Sequence, residues 1–185
     1  GVDFYGTAVT DLIRRRWLDN DFYVFNATLN YKKSDFDLTV GGSYSNYDGD
    51  HFGEVIWARQ FAFETSIRDR YYFGNGKKTD FSAFAKATYA LNSEIDVYGD
   101  LQFRNVGYKT SGLTSDLLNM LIDESYSFFN PKVGVSYQLA SNSSLYASYA
   151  RANREPSRSD FESNPDVKPE QLNDFEMGWR YNKEG

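Results

Sequence analysis

Two stretches of the chain hold side chains that could do chemistry. DGDHFGE, residues 48–54, supplies Asp48, Asp50, His51 and Glu54 within seven positions. Carboxylate oxygens and an imidazole suit a divalent cation. Asp-Gly pairs equally favour Asx-type turns, so the segment reads either as a metal loop or as a turn-rich loop base. One histidine in the whole chain allows no multi-histidine centre, and no metal site is assigned. Around NREPSRSDF, residues 153–161, stand Arg151, Arg154, Glu155, Arg158 and Asp160. Arginine forks pair bidentately with carboxylates, so these residues either brace a strand-to-loop junction or attract an anionic ligand, for which Arg154 and Arg158 are the candidates. The same long loop as the first stretch carries Phe52, Trp57, Phe61, Phe63, Tyr71, Tyr72 and Phe73. Such rings stack on flat ligands or pack a loop, and Trp57, Tyr71 and Tyr72 are the ligand-binding candidates. RRRW, residues 14–17, either contacts anionic lipid or is a solvated loop.

Other chemistries are excluded. The chain has no cysteine, so it offers no disulfide, thiolate metal site or cysteine nucleophile. No Ser-His-Asp set lies in a recognisable context. The net charge of −6 lacks the basic footprint of a nucleic-acid binder. We therefore expect no catalytic residues, no cofactor and no enzyme.

The elements that must position these residues are strands. FDLTVGGSYS, residues 36–45, sets Phe36, Leu38, Val40 and Tyr44 on one parity and Asp37, Thr39, Ser43 and Ser45 on the other, the alternation of a half-buried strand. The same period runs through 22–32, 81–90, 95–104, 132–139, 145–151 and 174–181, and less regularly through VDFYGTAVT near the start. Connections alternate between short, at 32–35, 91–94 and 140–144, and long, at about 46–80, 105–128 and 152–173. All long loops then leave from one side, as in outer-membrane barrels with short periplasmic turns and long extracellular loops. About ten residues at roughly 3.3 Å each, tilted about 40°, span the roughly 25 Å apolar band of such a barrel. A mean hydropathy of −0.62 and the lack of a long apolar run exclude a membrane helix. They leave a barrel open, because alternation hides a lipid-facing row. Charged residues on the opposite parity, among them Lys86, Asp96, Arg104, Glu176 and Arg180, suit a wide polar lumen better than the packed interior of an eight-stranded barrel. A soluble or surface-attached β-sandwich, such as a carbohydrate-binding module, is the alternative. In the second long loop, Leu113, Leu117, Leu118, Leu121 and Ile122 recur near helical spacing after Thr114 or Ser115, which predicts a short amphipathic helix within 112–129.

The last third of the chain adds a resemblance. YASYARANREPSRSDF (146–161) followed by KPEQLNDFEMGWRY (168–181) resembles the barrel domain of TonB-dependent outer-membrane receptors. YDGDHFGEVIW (47–57), KTDFSAFAKATY (78–89) and FFNPKVGVSY (128–137) resemble the branch common in Bacteroidetes-type bacteria. The resemblance implies an all-β antiparallel up-and-down meander, with residues 1–185 forming part of a roughly 22-stranded transmembrane barrel. It implies a location in the outer membrane of a Gram-negative cell and uptake of a scarce nutrient: an iron–siderophore, haem, cobalamin or a glycan. Its implied partners are outer-membrane lipid, the rest of the barrel, a plug domain and, through the plug, the TonB complex. The plug and the C-terminal strand are not among these residues, so the chain is expected to supply barrel wall and ligand-facing loops.

Overall fold

The computed structural model describes residues 10–61 and 64–183, and the expected strand over VDFYGTAVT falls outside them except for Thr10. Seven strands follow one another: β1 (Leu12–Lys33), β2 (Phe36–Ala58), β3 (Arg70–Ala90), β4 (Ile95–Leu113), β5 (Asn119–Ala140), β6 (Ser143–Arg154) and β7 (Glu170–Tyr181), with one helix, α1 (Arg158–Ser163), between the last two. They form one sheet in sequence order, β1 to β7, so the expected antiparallel meander is the fold. Among the described residues β1 and β7 are the two edges of the sheet.

The short turns fall where the alternation places them. The three expected long loops are much shorter than the sequence suggests. Residues 46–58 and 70–80 continue β2 and β3 and leave 59–69 as the connection. The span 105–128 is mostly strand with a link at 114–118, and the last connection runs over 155–169 around α1. The hydrogen-bond ladder continues beyond the stretch where one side-chain row must be apolar. Past that stretch both parities can be polar, and the period-two signal is lost while the strand persists. The expected helix within 112–129 is a β-hairpin instead. The Thr114 hydroxyl accepts from the Asp116 and Leu118 amides at 3.2 and 3.1 Å, and Leu117 takes a positive φ of 62°. This turn chemistry prevails over the leucine spacing. RRRW is likewise strand, within β1.

The chain divides into two compact units. The first comprises the described residues up to Tyr23 with Asn46–Lys78 and Gly107–Glu124; the second comprises Val24–Ser45, Thr79–Val106 and Ser125 onward. The apolar rows lie in the second unit, and their register is continuous. Val133 pairs with Tyr149, Val135 with Ala147 and Tyr137 with Leu145 across β5 and β6. The same β6 residues pair with Phe175, Met177 and Trp179 of β7. Each apolar side chain thus has an apolar neighbour across the ladder, where cross-strand pairs stabilise a sheet.

This apolar face is bare. Val133, Val135 and Leu145 are 47%, 41% and 42% exposed, and Met177 is 86% exposed. The buried strand side chains of this unit, Val106 and Phe128, lie on the opposite parity, and Glu155 is buried against Arg104 of that same parity. A water-soluble sandwich requires the reverse, because burying each large apolar side chain stabilises it by about 1.5–3 kcal/mol. A contiguous apolar face of this kind marks a lipid or protein contact. Phe84, the aromatic that interrupts the polar row of β3, has a local reason. Its ring lies where a Cβ on Gly41 would stand 2.7 Å from it, so glycine on β2 gives the ring its bed.

Candidate ligand-facing wall and rim

In the second unit the polar face is joined across successive strands by side-chain hydrogen bonds. Thr39 donates to Asn30 at 2.9 Å between β2 and β1. The Ser43 and Ser82 hydroxyls are hydrogen-bonded at 2.8 Å between β2 and β3. Asn130 of β5 donates to Gln102 of β4 at 3.0 Å, and its own carbonyl oxygen accepts from the Asn153 side chain at 2.8 Å. Such pairs satisfy polar groups that a sheet would otherwise leave to water, and they hold the face polar without a net charge.

Arg104 of β4 is the centre of this face. Its Nε lies 3.1 Å from both Asp80 oxygens and its Nη2 lies 2.5 Å from Asp80 Oδ2. Nη1 and Nη2 reach the two Glu155 oxygens at 2.8 and 3.0 Å. One guanidinium therefore holds two carboxylates bidentately, which fixes orientation as well as charge. Glu155 is only 9% exposed, and it begins the 155–169 connection. The connection is tied to the polar face at its first residue. Two residues later Ser157 caps α1 reciprocally with Asp160. The Ser157 hydroxyl and amide hold the Asp160 carboxyl below its usual range. The S-x-x-D spacing of this box is legible in SRSD and could have located α1.

The arginine lattice expected at the strand-to-loop junction exists with a different membership. Glu155 pairs with Arg104, a residue distant in sequence. Arg154 pairs with Glu170 at 2.9 Å and Arg158 with Glu162 at 3.1 Å. The ligand candidates Arg154 and Arg158 thus each carry a carboxylate partner. What sequence reasoning missed is the partner of Glu155, because no local spacing encodes a contact 51 residues away.

In the first unit, Tyr71 and Tyr72 open β3 with ring centroids 5.0 Å apart at 66°. Tyr72 is buried, and the Tyr71 hydroxyl is buried with no hydrogen-bond partner among the described residues. Both rings lie against β2 at Gly53, where a Cβ would sit 2.4 Å from Tyr71 and 2.5 Å from Tyr72. The Arg14 guanidinium is 5.2 Å from the Tyr71 centroid. Trp57 is exposed near the end of β2. Phe63 falls outside the described residues. Trp17 stacks on Phe52, Arg15 lies 4.3 Å over Trp17 and 3.0 Å from Glu54, and Arg70 lies 3.9 Å over Phe52. Cations interleaved with rings in this way are stabilised by the ring quadrupoles.

DGDHFGE lies within extended β2, neither as a metal loop nor as a turn. Asn75 donates to Asp48 and Asp50, both at 2.8 Å, and Lys77 bonds Asp48 at 2.7 Å. Lys77 and then Asn75 hold the Asp48 carboxyl below its usual range. His51 Nε2 meets the Tyr47 hydroxyl at 3.3 Å. Neighbouring strands take up Asp48, Asp50 and Glu54, and His51 bonds within β2.

Comparison with known proteins agrees with this geometry. Residues 2–185 match the family model described as TonB dependent receptor-like, beta-barrel. No curated protein matches. Among solved structures, the chain is similar to the copper transporter OprC, with 16% identity, a TM-score of 0.68 and coverage of 92% of this chain and 29% of that one. It is also similar to the ferric-catecholate import receptor Fiu from E. coli K12, with 16% identity, a TM-score of 0.62 and coverage of 89% and 29%. The ferripyoverdine receptor of the Pseudomonas aeruginosa outer membrane matches with 21% identity, a TM-score of 0.58 and coverage of 90% and 23%. The chain spans under a third of the length of these structures. They are receptors and transporters rather than enzymes, and the sandwich alternative is set aside by the family match. A meander with a bare apolar face, a hydrogen-bonded polar face and this match over nearly every residue leads to one conclusion: the chain belongs to the TonB-dependent receptor β-barrel family.

Proposed function

We propose that this chain forms part of the barrel wall and rim of an outer-membrane receptor that takes up a scarce nutrient in a TonB-dependent way. The carrying observation is where burial falls in the second unit: the apolar row around Val133, Leu145 and Met177 is bare, while the buried side chains Val106, Phe128 and Glu155 and the cross-strand hydrogen bonds belong to the other face. Hydrocarbon covers the first face and a polar lumen lies behind the second. The solved relatives are named for copper, ferric-catecholate and ferripyoverdine, so a metal ion or metal chelate leads the candidate cargoes, ahead of haem, cobalamin and glycans. Trp57 and Tyr71 offer flat aromatic surface to a chelate or a sugar, and the buried Tyr72 supports the Tyr71 ring. Arg154 and Arg158 attract an anionic cargo, which must displace Glu170 or Glu162 to bind them. Plug movement driven by the TonB complex then admits the cargo, and outer-membrane lipid surrounds the wall.

The test uses the full receptor in cells. Uptake of labelled ferric chelates is expected to stop when the proton gradient is collapsed. Trp57→Ala is expected to weaken cargo binding by up to about tenfold, the scale of one lost aromatic contact. Uptake that continues without a proton gradient contradicts the reading, as does a receptor that is monomeric and folded in buffer without detergent.

A further inference from the structure

On β6 one row runs Leu145, Ala147, Tyr149, Arg151, and its β7 partners run Trp179, Met177, Phe175, Asn173. The chemistry of both strands changes at one level, between the Tyr149–Phe175 pair and the Arg151–Asn173 pair. Below that level Ala147 sits between Val135 and Met177. A small side chain between two larger ones leaves a dent, and there the face is hollowed into a groove of about 490 Å3 lined by Val135, Tyr137, Leu145, Ala147 and Met177. Its lining is almost wholly apolar. Above that level the Tyr149 hydroxyl donates to Asn173 at 3.0 Å, and Arg151 donates through Nη2 to Gln171. The Arg151 Nε is buried and has no hydrogen-bond partner among the described residues. A guanidinium N–H without an acceptor is costly where water is scarce, and a small rotation of the side chain that brings it to a lipid oxyanion removes that cost.

We infer that this groove and Arg151 together hold one anionic membrane lipid, its acyl chain along Ala147 and its headgroup phosphate on Arg151. The inference rests on the reading of the odd-numbered row as lipid-facing and adds a specific site to it. Charge complementarity selects the occupant. The groove alone accepts any acyl chain, while the cation at the apolar-to-polar border favours lipids with a net negative headgroup, an attraction on the order of 1 kcal/mol per basic residue at a membrane surface. The site also accounts for an alanine among bulky neighbours and for an arginine at the end of an apolar row.

The test places the full receptor in nanodiscs of equal parts phosphatidylglycerol and phosphatidylcholine and counts retained lipids by native mass spectrometry. The receptor is expected to retain phosphatidylglycerol preferentially, by about fivefold, and Arg151→Gln to abolish that preference. Arg151→Lys is expected to keep most of it. Ala147→Phe, which fills the groove, is expected to lower retention of both lipids. A nitroxide at Met177, relaxed by oxygen, reports separately that the row faces lipid. If Met177 is lipid-accessible and Arg151→Gln leaves the preference intact, this inference is overturned and the barrel reading stands. If Met177 is not lipid-accessible, both fall.

Discussion

Val135→Arg is expected to destabilise the folded receptor in a bilayer by about 2–4 kcal/mol, the cost of a cation on the lipid face near the midplane of a barrel. Val135 lies in the middle of the apolar ladder, between Ala147 on β6 and its own apolar neighbours Val133 and Tyr137 on β5. The adjacent residue, Ser136, pairs with Tyr146 on the opposite face. Ser136→Arg is therefore expected to cost under about 1 kcal/mol, as an ordinary polar-face substitution does. The two changes add the same charge one residue apart, so side-chain entropy and strand propensity nearly cancel between them. Denaturant titration of receptor folded into lipid vesicles reads the difference. Equal costs at the two positions, or a larger cost at Ser136, contradict the assignment of faces.

Arg104→Ala is the second large effect. The substitution leaves Asp80 and Glu155 facing each other without their common cation. Removing one partner of a buried ion pair costs about 3–5 kcal/mol. The three side chains keep 23%, 22% and 9% of their exposure, so solvent screening reduces the expected loss to roughly 2–4 kcal/mol. The loss should appear first where Glu155 anchors the 155–169 connection. Amide exchange through α1 is expected to accelerate on the order of a hundredfold. Arg104→Lys keeps the charge and loses the fork, so it should fall between the two. Arg158→Ala breaks only the i,i+4 pair with Glu162, worth about 0.3–0.5 kcal/mol. Exchange through 155–169 unchanged by Arg104→Ala contradicts the role assigned to Glu155.

These two sites also show what the sequence could and could not reveal. The row containing Val135 was legible because hydrocarbon on one side and polar groups on the other impose a period of two, and the tight turns at 34–35, 91–94 and 141–142 delimit it. The pairing of Arg104 with Glu155 was not legible. Both were recognisable as charges at meaningful places, but a bidentate contact between β4 and the residue after β6 depends on the register of three strands. Residues 46–58 and 70–80 were misread as loop because no single face there must be apolar, although the ladder continues. The leucines at 113, 117, 118 and 121 imitate a helix, and the Thr114 hydroxyl, the Thr114–Leu118 backbone bond and the positive φ of Leu117 reveal a hairpin. Of the ligand candidates, Tyr71 and Tyr72 do meet, because Gly53 lets both rings approach β2. Arg154 and Arg158 each have a carboxylate that the sequence did not single out.

The central claim is that hydrocarbon touches the apolar row of the second unit, which on β5 is the odd-numbered one. A nitroxide scan of β5 from Lys132 to Leu139, in the full receptor reconstituted in lipid, addresses it most directly. The account predicts alternation: labels at Val133, Val135, Tyr137 and Leu139 relaxed by oxygen and shielded from a water-soluble nickel chelate, with the reverse at Gly134, Ser136 and Gln138. Labels on the valine row that respond to the nickel chelate as strongly as those on the serine row would contradict it.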